Sequence, residues 1–258
     1  MTSGAALLAL LAWMSAAPAA ECPRDEALGT SRTLAIDAAT YPRVGLISFP
    51  QTLPLEDHEV VLTFDDGPWP ATDPAVLAAL AHECVRATFF LIGKPASEHP
   101  DLVKQIAAEG HTIGHHTWSH HNLKYMNVED AAGEVDNGIA AVEMALRGVS
   151  TTVPSTPFFR YPHFEMTPQT LDNLQKRDIA VLSADIWAND WEQMEPQQVL
   201  KLLIERLNAA GKGIVLLHDP EARTAAMLPD FLRYLRDNNY RVVHLEPATP
   251  AKGADNAL

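Results

Sequence analysis

Residues 63–68 read Thr63-Phe64-Asp65-Asp66-Gly67-Pro68. They follow an apolar run, Val60-Val61-Leu62, and end in a Gly-Pro breaker. The pattern predicts a buried strand that stops abruptly and presents two adjacent carboxylates at its end. Side chains alternate along a strand, so neighbours ordinarily face opposite ways. At the mouth of a turn the pair can diverge to two jobs, one on a metal and one on a water. An Asp-Asp-Gly turn closed by Asx-type hydrogen bonds is the competing explanation. The His-rich segments further along favour the first.

Outward from this stretch, short apolar runs alternate with helical ones. Strands are expected at Val60–Asp65, Ala87–Ile92, Thr112–His115, Phe158–Tyr161, Ala180–Asp185, Ile214–His218 and Arg241–Leu245. Helices are expected at Pro74–His82, Leu102–Ala108, Val128–Leu146, Pro168–Gln175, Pro196–Ala209 and Ala222–Asn238, with Gly110 and Gly148 as stop signals. Such alternation implies an α/β fold with parallel strands joined by right-handed crossovers. Seven repeats predict a barrel rather than a flat sheet. Residues 21–57 are a lead-in with strands expected at Arg32–Ile36 and Val44–Ser48; 58–247 form the domain, and 248–258 a frayed tail.

The chain has 258 residues, 47% of them hydrophobic, which suffices for one sizeable core in a single domain. Met1 to Ala20 carries no charged side chain, and its apolar run is too short to span a bilayer. It leads into Ala16-Ala17-Pro18-Ala19-Ala20, so residues 1–20 read as a signal peptide. An uncleaved anchor or an N-terminal core helix is the alternative. Glu21 before Cys22 argues against a lipoprotein site. No other segment is apolar and long enough to cross a membrane. Export to the periplasm or medium is therefore expected. Two cysteines, Cys22 and Cys84, fit one disulfide in such a protein, or two unpaired thiols. The net charge of −14 disfavours nucleic acid and anionic lipid as partners. A monomer is expected.

The chemistry-bearing residues share a location. Asp65, Asp66, His116, Arg160, Asp185 and His218 all fall at or just past the C-terminal ends of expected strands. In a barrel those ends share one face, where active sites sit. His116-Thr117-Trp118-Ser119-His120 places two imidazoles four apart, which one helical turn would point the same way. With one carboxylate they make a set of two His and one Asp that leaves a position open for water, as catalytic rather than structural metal sites do. His111, His115 and His121 are read as ordinary hydrogen-bonded residues. Asp185-Ile186-Trp187-Ala188-Asn189-Asp190-Trp191 offers two acids and two tryptophans in a loop, and Gly213 to Leu217 is a strand delivering His218 to the same rim.

Five such motifs, in order over roughly Glu59 to Leu245, resemble the polysaccharide deacetylases (the NodB homology domain, carbohydrate esterase family 4). The resemblance implies a distorted seven-stranded (β/α) barrel and one divalent metal ion, with zinc foremost and cobalt or nickel as substitutes. It implies Asp65 as general base, held by Arg160, and Asp66, His116 and His120 as metal ligands. It implies Asp190 tuning the acid His218, and Trp191 and Leu216 lining the substrate site, Leu216 in an acetyl pocket. The backbone N–H of Tyr161 is expected to hold an oxyanion. Three positions depart from the family pattern. His115 stands where Asn is usual and is expected beside the metal. Phe164 stands where Gly is usual and is expected to close that rim. The lengthened fourth motif leaves Asp185 as a rival to Asp190.

These residues point to an exported, metal-dependent enzyme removing acetyl groups from N-acetylated sugars of a glycan, peptidoglycan or chitin-like. An O-acetyl xylan esterase and an amidase on a small non-sugar amide are related alternatives. A non-catalytic glycan-binding module would be expected to lack the base, the acid or a ligand, and none is missing.

Overall fold

A computed structural model describes residues 22, 24 and 26–248. The expected signal peptide lies outside the described residues, as does all of the expected tail except Ala248. Among the described residues no helix is long and apolar enough to cross a membrane.

In chain order the elements are β1 (Thr30–Ile36), β2 (Arg43–Val44), β3 (Glu59–Asp65), α1 (Asp73–His82), β4 (Thr88–Leu91), α2 (Gly93–Glu98), α3 (Pro100–Ala108) and β5 (Thr112–His115). They continue with α4 (Val128–Arg147), β6 (Phe158–Phe159), α5 (Pro168–Lys176), β7 (Ala180–Leu182), β8 (Ile186–Trp187), α6 (Pro196–Ala210), β9 (Gly213–His218), α7 (Ala222–Asp237) and β10 (Arg241–Pro247). Every strand pairing is parallel, and the ten strands form one sheet.

The sheet is organised around β3, whose seven residues are all buried. Burial on both faces is what a parallel strand covered by crossover helices requires. One edge of β3 pairs with β9 from Val60 to Asp65. The other is shared, with β10 on Glu59 and Val60 and β4 on Thr63 to Asp65. From β4 the ladder runs through β5, β6 and β7 to β2, and from β9 it runs to β8.

Two cores result. Leu62, Phe64, Leu91, Val215 and Leu217 pack outward under α1, α6 and α7. Val61, Phe90, Leu182, Leu216 and Leu245 fill the inside. Helix ends follow local chemistry. Asn127 caps α4 by accepting from the Asp130 N–H at 2.9 Å, and Gly148 closes it at φ 74°.

All seven expected strands form, with four local differences, the first being that the expected Phe158–Tyr161 stops at Phe159. The expected strand Val44–Ser48 stops after Val44, because Gly45 turns at φ 108° against the Ser183 backbone, where a Cβ would stand 2.6 Å from the carbonyl carbon. The expected Ala180–Asp185 ends at Leu182, and Ile186–Trp187 resumes as a separate strand beside β9. The helix α2, in Gly93-Lys94-Pro95, was hidden by its helix-breaking composition.

The lead-in is integral to the sheet: β1 pairs with β10, and β2 with β7. Cys22 and Cys84 are joined by a disulfide with Cα atoms 5.7 Å apart. The bond closes a span of 62 residues. In the chain-entropy treatment a loop of that size stabilises by about 4 kcal/mol.

Candidate metal centre and catalytic rim

Asp65 and Asp66 both face His116, and the backbone shows how. Asp65 ends β3 with regular strand geometry, while Asp66 takes φ 80°. The Asp66 N–H donates to the Phe90 carbonyl at 3.3 Å. That left-handed step breaks strand alternation, so the second carboxylate faces the same His116 Nε2 that the first approaches at 3.9 Å.

Asp65 Oδ1 lies 2.7 Å from Arg160 Nη1. Arg160 is wholly buried and spends its donors within the protein. Nη1 also reaches Thr63 Oγ1 at 2.8 Å, Nε the Leu182 carbonyl at 2.9 Å, and Nη2 the Ser183 carbonyl at 2.9 Å. The guanidinium also sits 4.2 Å from the Phe90 ring centroid. A buried ion pair survives only with such complete satisfaction.

Asp66 Oδ1 faces two imidazoles, His116 Nε2 at 3.3 Å and His120 Nε2 at 3.2 Å. One ligand atom from each of the three residues lies within 4.8 Å of the others. A tetrahedral ion bound at about 2.0–2.1 Å separates its ligands by about 3.3 Å, so the spacing suits one. His116 Nδ1 donates to the Arg160 carbonyl at 2.8 Å, which leaves the Nε2 lone pair facing the cluster. Asp66 Oδ1 is buried with no hydrogen-bond partner among the described residues. An orphaned carboxylate oxygen between two imidazole nitrogens fits a bound cation. Burial alone would raise Asp66, but His116 beside it, with the charges of His120 and His218, holds it well below the usual carboxylate range. Burial, then the neighbouring His116, lowers His120 to about 4 against the pull of Asp66. The centre is thus primed with an anion and a neutral imidazole, the forms that bind metal.

The two imidazoles do not share a helix, as the four-residue spacing had suggested. Thr117 at φ 68° and His120 at φ 61° fold the segment into a tight turn instead. Thr117 Oγ1 accepts from the His120 N–H at 3.0 Å, and Glu134 accepts from both Ser119 donors. Gly138 of α4 permits the turn to dock, since a Cβ there would stand 2.4 Å from the Thr117 carbonyl carbon.

His218 stands across the rim. Its Nδ1 lies 2.9 Å from Asp190 Oδ1, and its N–H donates to Asp190 Oδ2 at 2.7 Å. Thr224 adds a third bond to Asp190, at 2.6 Å. Burial would lower His218, but the hydrogen bond and charge of Asp190, then Asp66 and Asp65, raise it to about 9. Trp191, 46% exposed, meets the His218 ring edge-on with centroids 5.4 Å apart.

Asp185 is elsewhere. It accepts from the Leu46 N–H at 2.7 Å, Thr52 Oγ1 at 2.6 Å and the Ile214 N–H at 2.8 Å. It ties the lead-in to β9, so of the two acids only Asp190 reaches His218.

Leu216 is buried in the inner core, paired with Thr63 and Trp187. The Tyr161 ring is buried against Phe159, while its backbone N–H makes no hydrogen bond among the described residues.

Two expectations about the departures are corrected. His115 does not lie beside the metal centre. Strand alternation turns it to the opposite face from His116, fully buried with Nε2 3.9 Å from Glu143, and burial lowers it to about 3. Phe164 does not close the rim; it packs against the inner core at φ 56°. The exposed neighbour there is His163, whose ring meets His120 edge-on at 4.7 Å. His163, Thr63 and Thr224 were missed in the sequence. Only the position of His163, directly after Arg160-Tyr161-Pro162, gave any sign of it.

The family model for polysaccharide deacetylases matches residues 53–182. A chitooligosaccharide deacetylase of Azorhizobium caulinodans is 34% identical over 161 residues, 62% of this chain and 73% of that protein. The peptidoglycan-N-acetylglucosamine deacetylase PgdA of Listeria monocytogenes is 30% identical over 190 residues, 74% of this chain but only 38% of that protein. The solved structure of the Bdellovibrio bacteriovorus peptidoglycan deacetylase Bd3279 superposes with a TM-score of 0.77 at 31% identity, covering 88% of this chain and 62% of that one. The chain belongs to the polysaccharide deacetylase family.

Proposed function

We propose that this chain is an exported, metal-dependent hydrolase that removes acetyl groups from N-acetylated sugars of a glycan, of the peptidoglycan or chitin-like class. The observation that carries the reading is the grouping of Asp66, His116 and His120 within 4.8 Å of one another, with Asp65 and His218, partners in register at the ends of β3 and β9, beside them and Asp190 bonded to His218. Relatives named for peptidoglycan and chitooligosaccharide deacetylation support the substrate class. The disulfide supports export.

Asp66, His116 and His120 would hold one divalent cation, zinc foremost, with cobalt or nickel able to replace it. When bound, such an ion polarises a carbonyl and lowers the pKa of a water from 15.7 to about 7. Asp65 accepts a proton from the attacking water; Arg160 tethers its Oδ1 and leaves Oδ2 free toward the centre. The water oxygen bonds to the acetyl carbon. The Tyr161 N–H donates to the oxygen that becomes negative, a contribution of about 3–4 kcal/mol when measured by removal. His218, protonated by virtue of Asp190, gives its proton to the sugar nitrogen as the C–N bond breaks. Acetate and the free amine leave. Trp191 stacks on the sugar, and Leu216 lines the acetyl pocket.

The test is acetate release from chitooligosaccharides, peptidoglycan and acetylated xylan by zinc-loaded and chelated protein. Release from the first two, dependent on zinc, supports the reading. Release from xylan alone transfers it to an O-acetyl esterase.

A further inference from the structure

The turn carrying Asp66 is backed by two acids that the proposed chemistry does not use. Asp73, the first residue of α1, and Asp219, directly after His218, are both fully buried. Asp73 Oδ2 accepts from the Trp69 N–H at 2.9 Å. Its Oδ1 and both oxygens of Asp219 have no other partner among the described residues. The two carboxyls act on each other across this turn; among the described residues neither makes a salt bridge, and the charge of His99 reaches Asp73.

Gly67 is pressed between Asp219 and Ile92, the residue after β4. A Cβ on Gly67 would stand 2.0 Å from Asp219 Oδ2. On the other side the Gly67 carbonyl accepts from the Ile92 N–H at 2.9 Å. The Asp219 N–H also donates to the Asp65 carbonyl at 3.3 Å. Backbone on both sides of Asp66 is therefore fixed by Asp219.

Two adjacent buried carboxylates cannot both ionise. One proton between them satisfies orphaned oxygens on both and belongs to the pair rather than to either. Burial raises Asp73 to about 6 and, with the charge of Asp73, raises Asp219 further.

We infer that Asp73 and Asp219 share one proton and act together as positioning residues, gripping the Gly67–Trp69 backbone so that Asp66 stays turned toward His116 and His120. The inference rests on the metal reading above. Neither acid touches substrate. Their contribution is to the orientation of a ligand, which is set by groups behind it as much as by the ligand itself.

The test measures zinc affinity by chelator competition on the full chain, for wild type and for Gly67→Ala, Asp219→Ala and Asp219→Asn. Gly67→Ala and Asp219→Ala are expected to bind zinc about tenfold more weakly or worse. Saturating zinc should restore their kcat. Asp219→Asn should keep the wild-type affinity, because its amide can donate to Asp73 as the protonated carboxyl does. Infrared difference spectra, wild type minus Asp219→Asn, should show one protonated carboxyl at neutral pH. Wild-type zinc affinity in a folded Gly67→Ala or Asp219→Ala overturns the inference, and so does the lack of that carboxyl band. If Asp219→Ala does not fold, Gly67→Ala decides. Failure of wild type to bind zinc at all instead removes the metal reading, and the inference with it.

Discussion

Arg160 Nη1 and Asp65 Oδ1 lie 2.7 Å apart in a fully buried ion pair, while Asp65 Oδ2 is left 3.9 Å from His116 Nε2. One oxygen is tethered and the other is aimed at the metal centre. Asp65→Asn should retain zinc yet lose nearly all turnover, by about 10²–10⁴-fold, the usual contribution of a positioned base. Zinc content by mass spectrometry and acetate release on the same sample check this. Activity near wild type at full zinc content would refute the base assignment.

Removing the other partner has a different signature. Arg160→Ala strands Asp65, Thr63 Oγ1 and two carbonyls without donors. Stranding a buried charge costs about 3–5 kcal/mol. Urea unfolding should show a loss of that size, and the mutant should lose both stability and turnover. Asp65→Asn leaves the Arg160 charge unpaired, so it too should lose stability, but its amide oxygen still accepts from Nη1 and its mark is lost turnover at full zinc content.

His218 and Asp190 set the pH behaviour. His218 is raised to about 9, so the stability it contributes is complete below its unfolded pKa of about 6.5 and is lost as pH rises through about 9. In Asp190→Asn the raising charge is gone. The stability of the metal-free protein should then fall less between neutral and alkaline pH than in wild type. The alkaline limb of the rate profile should move toward lower pH. An unmoved limb would mean that another group supplies the proton.

Asp185→Asn separates the two acids of the lengthened fourth motif. Asp185 accepts three hydrogen bonds that join the lead-in to β9 and none from His218. Loss of stability by about 1–3 kcal/mol is expected, with the rate profile unshifted. A shifted limb in this variant would reverse the assignment.

How much of this was legible in the sequence follows from which interactions are local. The seven strands could be read because each is a short apolar run flanked by turn chemistry. The candidate metal-binding set could be read because Asp66 and the His116–His120 pair stand in compact motifs. The turn that brings those imidazoles together could not be, because Thr117 and His120 at positive φ depend on Gly138 of a distant helix. Nor could the split of β7 from β8, which follows from Asp185 being captured by Leu46 and Thr52 across more than 130 residues. His115 was misplaced for a simpler reason. Neighbouring residues on a strand face opposite ways, and adjacency to His116 sent it away from the metal.

The disulfide is a further check on energetics. Cys22→Ser with Cys84→Ser should lower stability by about 4 kcal/mol while leaving zinc affinity and kcat unchanged. Equal thermal midpoints with and without reductant would show that the bond adds nothing to stability.

The most direct test of the central claim is acetate release from an N-acetylated chitooligosaccharide while chelated protein is titrated with zinc. Release should rise linearly and level off at one zinc per chain, and His116→Ala should neither bind that zinc nor release acetate. Full release from chelated protein, or a His116→Ala variant that matches wild type, would contradict it.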